Sequence, residues 1–311
     1  MRILVTGGAG FIGSHLIEKL LADNHEVVCL DNFDPFYDKE IKLKNISPFL
    51  ARNEFKIVEG DICDYALLSH TLEDVDYVFH QAAQAGVQAS IKNPIKSHTV
   101  NATGTLNLLK AALDSSVKKI INASSSSVYG CVHYLPFDEN HPTHPVSPYG
   151  VSKLIAEEYC RVFQEIYGIP TLSLRYFTVY GPRMRPDLAI SIFTRKALAN
   201  EHITIFGDGT KTRDFTHIED IIRANLTALN CGTGVYNIGG GHRVSIQTLA
   251  ETIIEITGSD TKICYAPAVD GDAEHTFANT MKAEQELGWR PEVSLEEGLK
   301  RYVAWVSNYQ S

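Results

Sequence analysis

Short apolar strands alternating with amphipathic helices predict an α/β protein: a doubly wound parallel sheet with a smaller C-terminal α/β lobe. Three observations carry this expectation. Strand patterns fall at residues 3–5, 27–30, 56–58, 77–80, 119–122 and 171–175. Helical periodicity fills the intervals at 14–22, 65–71, 96–115 and 149–167. A glycine-rich turn joins the first strand to the first helix. Beyond Tyr176 the rhythm loosens: Gly181-Pro182, Gly207-Asp208-Gly209 and Gly239-Gly240-Gly241 punctuate shorter elements, and 235–238 returns as one more strand. The expected division is a nucleotide-binding domain at 1–175, with a return segment at about 214–243, and a substrate-binding lobe at 176–213 and 244–311.

The 311 residues can bury a sizeable core, and 44% hydrophobic with 21% charged residues is ordinary for a soluble globular protein. A net charge of −9 argues against nucleic acid and anionic membrane as partners. The six cysteines form no CxxC and no metal-ligand spacing, so they read as reduced thiols and no metal is expected. Met1 runs straight into the first strand without a charged, apolar leader, and no apolar run reaches spanning length. The expectation is a cytoplasmic protein.

Thr6-Gly7-Gly8-Ala9-Gly10-Phe11-Ile12-Gly13 follows the first strand and opens a helix. Gly8, Gly10 and Gly13 fit G-x-G-x-x-G, while Gly7, Gly10 and Gly13 make a GxxGxxG frame. Such glycines permit a tight turn and let a pyrophosphate approach bare backbone at a helix N-terminus. Asp31 ends the second strand, where a carboxylate accepts the two ribose hydroxyls and repels a 2′-phosphate. No arginine adjoins it, so NAD is expected over NADP. Asp61-Ile62, after the third strand, either contacts adenine or caps the next helix.

Tyr149-Gly-Val-Ser-Lys153 reads as a proton-transfer device. Pro148 suits a first helical turn, and residues four apart share a helix face. A free tyrosine ionises near ~10, too high for a base at neutral pH, but a neighbouring cation favours the phenolate. The spacing alone is common on solvated helices.

With these residues placed, the chain resembles the extended short-chain dehydrogenases/reductases, specifically their nucleotide-sugar 4-epimerase branch. The resemblance covers nearly the whole length. It rests on the glycine turn, His80-Gln-Ala-Ala-Gln84, Asn101-Ala-Thr-Gly-Thr105, Ser124-Ser-Ser-Ser-Val-Tyr-Gly130 and Tyr149-x-x-x-Lys153. Arg175-Tyr-Phe-Thr-Val-Tyr-Gly-Pro182, Gly207-Asp-Gly-Thr-Lys-Thr-Arg-Asp214 and Leu287-Gly-Trp289 add to it. It implies a Rossmann domain holding NAD through Gly7, Gly10, Phe11, Ile12, Gly13, Asp31, Asn32, Asp61, Ile62, Ala82, Ala83, Asn101, Tyr149 and Lys153. It further implies a homodimer, Tyr149 as base, Lys153 on the nicotinamide ribose, and Ser125 on the reacting sugar oxygen. The reaction so implied inverts C4 of a UDP-hexose through a 4-keto sugar.

Related dehydratases carry an Asp-Glu pair where this chain has Ser126 and Ser127, which cannot serve as carboxylic acids. Elimination is therefore disfavoured, although a dehydratase or reductase, or a non-catalytic NAD-binding protein, remains an alternative. At the substrate end the resemblance implies that Arg213 grips the diphosphate and that 204–206, with Thr204 and Phe206, lies along uracil. Ser126 joins Ser125 beside the sugar. Thr178 and Arg185 resemble the pair that faces the carboxylate in UDP-glucuronate 4-epimerases, whereas Gln88 and Val269 depart from that pattern. Thr276, small at the pocket-size position, leaves room for a C5 carboxylate or a C2 N-acetyl group. Glucose, glucuronate and N-acetylglucosamine all remain open.

Overall fold

The computed structural model describes residues 1–309 apart from 269, 270 and 272, so Val269 and Asp272 lie outside the described residues. The first half runs β1 (Arg2–Thr6), α1 (Phe11–Ala22), β2 (Glu26–Asp31), α2 (Lys39–Ile46), β3 (Phe55–Glu59), α3 (Tyr65–Thr71) and β4 (Tyr77–His80). Then come α4 (Val87–Lys92), α5 (Pro94–His98), α6 (Gly104–Leu113), β5 (Lys119–Ser125), α7 (Pro148–Tyr167) and β6 (Thr171–Tyr176). The second half holds β7 (Thr178–Tyr180), α8 (Ala189–Leu198), β8 (Ile203–Phe206), β9 (Thr212–Arg213), β10 (Phe215–His217) and α9 (Ile218–Asn230). It ends with β11 (Gly234–Ile238), β12 (Val244–Ser245), α10 (Ile246–Thr257), β13 (Ile263–Ala266) and α11 (Leu295–Tyr309).

Seven strands form one parallel sheet in the order β11-β6-β5-β4-β1-β2-β3. Successive side chains of a strand point to opposite faces, and the apolar runs are used that way. Ile3, Val5, Val27 and Cys29 enter one core, whereas Leu4, Val28 and Leu30 enter the other. The first core continues without a break into Ile190, Ile203, Leu249, Trp289 and Leu299 of the C-terminal half. The second packs the sheet against α3, α6 and α7 through Leu68, Leu108, Cys160 and Phe163. In the C-terminal half, β7 pairs with β10, β9 with β12, and β8 with β13.

The expected strands all form, within a residue or two of their ends except β5, which runs on to Ser125. The helix expected at 96–115 differs: it begins at Pro94, ends at Leu113 and widens into a π-turn at Thr99–Thr103. Asn101 sits in the middle of the wider turn. Its side-chain amide donates to the Gln84 carbonyl and the Ser152 hydroxyl, and its Oδ1 accepts from Gln84 N. All six cysteines are free thiols. Among the described residues no helix is long and apolar enough to cross a membrane, and no His/Cys/Asp/Glu group is arranged to hold a metal ion.

Candidate active site

β1 and β4 are sheet neighbours whose connections run to opposite sides, and a crevice opens above such a switch point. Two adjoining cavities of about 330 and 260 Å³ meet there, sharing Ser125, Tyr149, Tyr176, Thr178 and Arg185 in their walls.

The larger cavity is the nucleotide end. Gly7 adopts φ +66°, and a Cβ there would stand 2.8 Å from Ala82 Cα. At Gly13 a Cβ would reach 2.3 Å from the Gly7 carbonyl, so any side chain would push α1 off the turn. Gly7, Gly10 and Gly13 line the cavity, whereas Gly8 faces Cys29 and Ile17; the GxxGxxG frame is the one that faces the cavity. Gly10 stands at the N-cap of α1 and offers no side-chain cap, leaving the N–H groups of the first turn for an anion. Asp31, Asn32, Asp61, Ile62, Ala82 and Ala83 line the same cavity. Asn32 Nδ2 donates to Asp61 Oδ2 at 2.8 Å, and Asp61 also accepts from Cys63 N. Asp64, not Asp61, caps α3. Asn101 does not reach the wall; it stands behind, fixing the Gln84 backbone. An uncapped helix start facing one end and a buried carboxylate at the other fit a dinucleotide such as NAD.

Tyr149 and Lys153 stand at the junction. Ser147 Oγ accepts from Gly150 N and Pro148 takes the first turn, so α7 begins where Tyr149 meets the crevice. The Ser125 hydroxyl, at the end of β5, hydrogen-bonds the Tyr149 side chain. Ser125 Oγ also accepts from Ser127 N at 3.1 Å. Burial dominates and holds the Tyr149 phenol above its ordinary value, opposed only in part by the Ser125 hydrogen bond and the Arg185 guanidinium. Arg185 is thus a second cation, besides the expected Lys153, that bears on the phenol. Lys153 itself is buried, which pulls its ammonium down to about 8, and it donates to the Ala123 carbonyl at 2.8 Å. Glu157 follows one turn later on α7; it pairs with Arg175 at 2.7 Å and accepts from the Ser124 hydroxyl.

The smaller cavity, where the substrate is expected, is lined by Ser125, Ser126, Thr178, Arg185, Arg213 and Thr276. The Arg185 fork grips Asp187 with two bonds of 3.0 Å and lies 5.3 Å over the Phe36 ring. Arg213 Nη1 donates to the Thr212 and Glu274 carbonyls. Thr276 is buried, its hydroxyl accepting from Asp214 N at 3.2 Å. Thr204 and Phe206 are not brought to either wall. They lie on β8, paired with β13, and Phe206 is open to solvent. Gln88 is exposed on α4 and lines neither cavity. Sequence reasoning missed Phe36, Tyr37 and Lys42, which line the nucleotide cavity from the loop after β2 and from α2. They lack a motif and sit on no periodic face.

The chain belongs to the family of extended short-chain dehydrogenases/reductases described by the model "GDP-mannose 4,6 dehydratase", which matches residues 4–302. A UDP-glucuronate 4-epimerase of Thermodesulfobacterium geofontis is 40% identical over 97% of this chain and 95% of its own. The crystal structure of UDP-glucuronic acid 4-epimerase from Bacillus cereus, in complex with UDP-glucuronic acid and NAD, has a TM-score of 0.95. It is 39% identical, covering 99% of this chain and 100% of its own. UDP-glucose 4-epimerase of Thermotoga maritima, solved with UDP-glucose, has a TM-score of 0.94 and 38% identity over 100% of both chains.

Proposed function

We propose that this chain, an NAD-dependent UDP-sugar 4-epimerase, prefers UDP-glucuronate to UDP-glucose and UDP-N-acetylglucosamine. The observation that carries the preference is Arg185, a cation in the shared wall of the crevice with Tyr149, Ser125 and Thr178. A guanidinium there suits a C5 carboxylate, which it can grip with both ends of its fork. A neutral hydroxymethyl group gains little from it.

NAD held at Gly7, Gly10, Gly13 and Asp31 supplies the exchange of hydride at sugar C4. Tyr149 takes the O4 proton as that hydrogen leaves and returns it when the opposite face is reduced. The Ser125 hydroxyl steadies the same oxygen. Lys153, still largely protonated at pH 7, keeps a positive charge beneath the site. Ser126 and Ser127 offer no acid for expelling a hydroxyl, so the bound sugar is not dehydrated. An inert NAD-binding protein has no need of Ser125, Tyr149 and Lys153 in one corner. Arg213 holds the diphosphate, and the uracil lies toward Thr204 and the exposed ring of Phe206.

In this reading residues 1–175 with 214–243 carry the cofactor, and 176–213 with 244–311 carry the sugar nucleotide. The protein works in the cytoplasm as a homodimer, pairing α5–α6 and α7 with their copies. Ile95, 77% exposed, and Val151, 44% exposed, provide apolar surface for that pairing. A monomer in light scattering at micromolar concentration would count against the dimer. Epimer formation from the three UDP-sugars, followed by NMR, tests the substrate: UDP-glucuronate should show the highest kcat/KM. A higher value for UDP-glucose overturns the preference and leaves C4 epimerisation standing.

A further inference from the structure

The fold sets a lysine beside the carboxylate that chooses the cofactor. Asp31 Oδ2 accepts from Ala9 N at 3.1 Å and Oδ1 from Phe33 N at 2.8 Å, so the backbone fixes the carboxylate. Lys42 Nζ stands 3.8 Å from Oδ1, too far for a hydrogen bond. It donates instead to the Asp34 carbonyl at 3.0 Å and lies 4.9 Å from the centre of the Tyr37 ring. These two contacts position the ammonium, and the Asp31 charge beside it adds to the hold. An ammonium carries three donors, and the Asp34 carbonyl uses one. Both side chains are buried, 8% and 6% exposed, and both line the nucleotide cavity. The side chain of Asp34 does not compete, being paired with Lys96 at 2.6 Å.

We infer that Lys42 is a latent 2′-phosphate site that Asp31 masks. The inference rests on the reading of this cavity as the NAD site. A carboxylate at the end of the second strand receives the ribose hydroxyls, so a phosphate on the 2′-oxygen comes up against Asp31. The same phosphate lies within reach of Lys42, whose charge matches it. Asp31 repels; Lys42 stands ready to receive. Discrimination between the two dinucleotides is therefore set by a single carboxylate.

The test is equilibrium dialysis of purified protein against equimolar NAD and NADP at pH 8, reading the bound ratio after exchange. The unaltered chain should hold mainly NAD. Asp31→Ser should raise the NADP:NAD ratio by about 100-fold or more, since it removes repulsion and leaves Lys42 in place. Asp31→Ser/Lys42→Met should take back about 10- to 100-fold, the worth of a charge-assisted hydrogen bond, while still binding NAD. If the double variant keeps the ratio of Asp31→Ser, the inference is wrong. Asp31→Asn, with and without Lys42→Met, gives a second check should Asp31→Ser fold poorly: adding Lys42→Met should again lower the ratio by about 10-fold, and an unchanged ratio also overturns the inference. Failure of the unaltered chain to take up either nucleotide would strike at the NAD reading itself.

Discussion

Replacing Arg185 by alanine separates a sugar-binding cation from a loop-shaping one. The guanidinium is 16% exposed and forms a two-bond pair with Asp187, whose side chain is 41% exposed. A sugar carboxylate about 4 Å away would gain about 4 kcal/mol at an effective dielectric of about 20. Asp187 already takes part of that charge, and desolvating the incoming carboxylate opposes the rest, which leaves about 2–3 kcal/mol. Arg185→Ala should therefore lower kcat/KM for UDP-glucuronate by about 30- to 150-fold. UDP-glucose and UDP-N-acetylglucosamine should lose only a few-fold. The structure adds a second effect with a different signature. Arg185 draws the Tyr149 phenol downward, so its removal raises that pKa and moves the acid limb of the pH–rate profile to higher pH for every sugar. That shift is common to all three sugars, so comparing their losses by NMR at one fixed pH isolates the carboxylate contribution. Equal losses for all three sugars would refute the assignment.

Tyr149→Phe should keep its fold and its NAD, measured by chromatography of released nucleotide, and lose about 10²- to 10⁴-fold in turnover. Near-normal turnover would mean another group takes the proton. Thr276→Tyr should penalise UDP-glucuronate and UDP-N-acetylglucosamine together and spare UDP-glucose; a loss confined to glucuronate would show that the effect is not steric. Glu157→Gln strands the buried Arg175 guanidinium and should cost about 3–5 kcal/mol in denaturant unfolding, and a loss under 1 kcal/mol would show that the pair is dispensable. His80 is buried between the Thr6 and Thr105 hydroxyls, and burial drops its imidazole to about 3. Below the unfolded pKa of 6.5 the unfolded chain takes a proton that the fold refuses, so stability falls as pH drops from 6.5 toward 3. About 2 kcal/mol should be lost between pH 7 and 5, and His80→Gln should flatten that slope. An identical slope in the variant would place the acid sensitivity elsewhere.

Much of this molecule was legible from local pattern. Buried parallel strands need continuous apolar runs, and those runs located β1, β2, β4, β5 and β6 within a few residues. The glycine turn was equally readable, because Gly7 and Gly13 tolerate no Cβ against neighbours close by in the chain and at Ala82. Pro148 announced the start of α7 and so placed Tyr149 and Lys153, while the Ser147 cap showed only in the structure. The two glycine frames were not separable by spacing; only the packing of Gly8 on Cys29 and Ile17 decided between them.

What the chain could not disclose depends on loops that cross the sheet. Lys42 and Asp31 are neighbours because the loop after β2 turns back and α2 docks beside the glycine turn, where Asn45 donates to the Ala9 carbonyl. Arg185 comes under Phe36 for the same reason, since two loops far apart in sequence meet over one cavity. Asn101 looked like a cofactor contact and became a brace, because a π-turn aims it at Gln84 and Ser152 rather than at the crevice. Periodicity reports which face of an element is apolar over a few turns. Burial, and with it the pKa of Tyr149, Lys153 and His80, is set by what packs onto that face from elsewhere. The sequence alone therefore determined the sheet, the glycine turn and the placing of Tyr149 and Lys153 on one helix at the crevice. Only the tertiary structure decided which charges surround them, because side chains distant along the chain share one low-dielectric crevice.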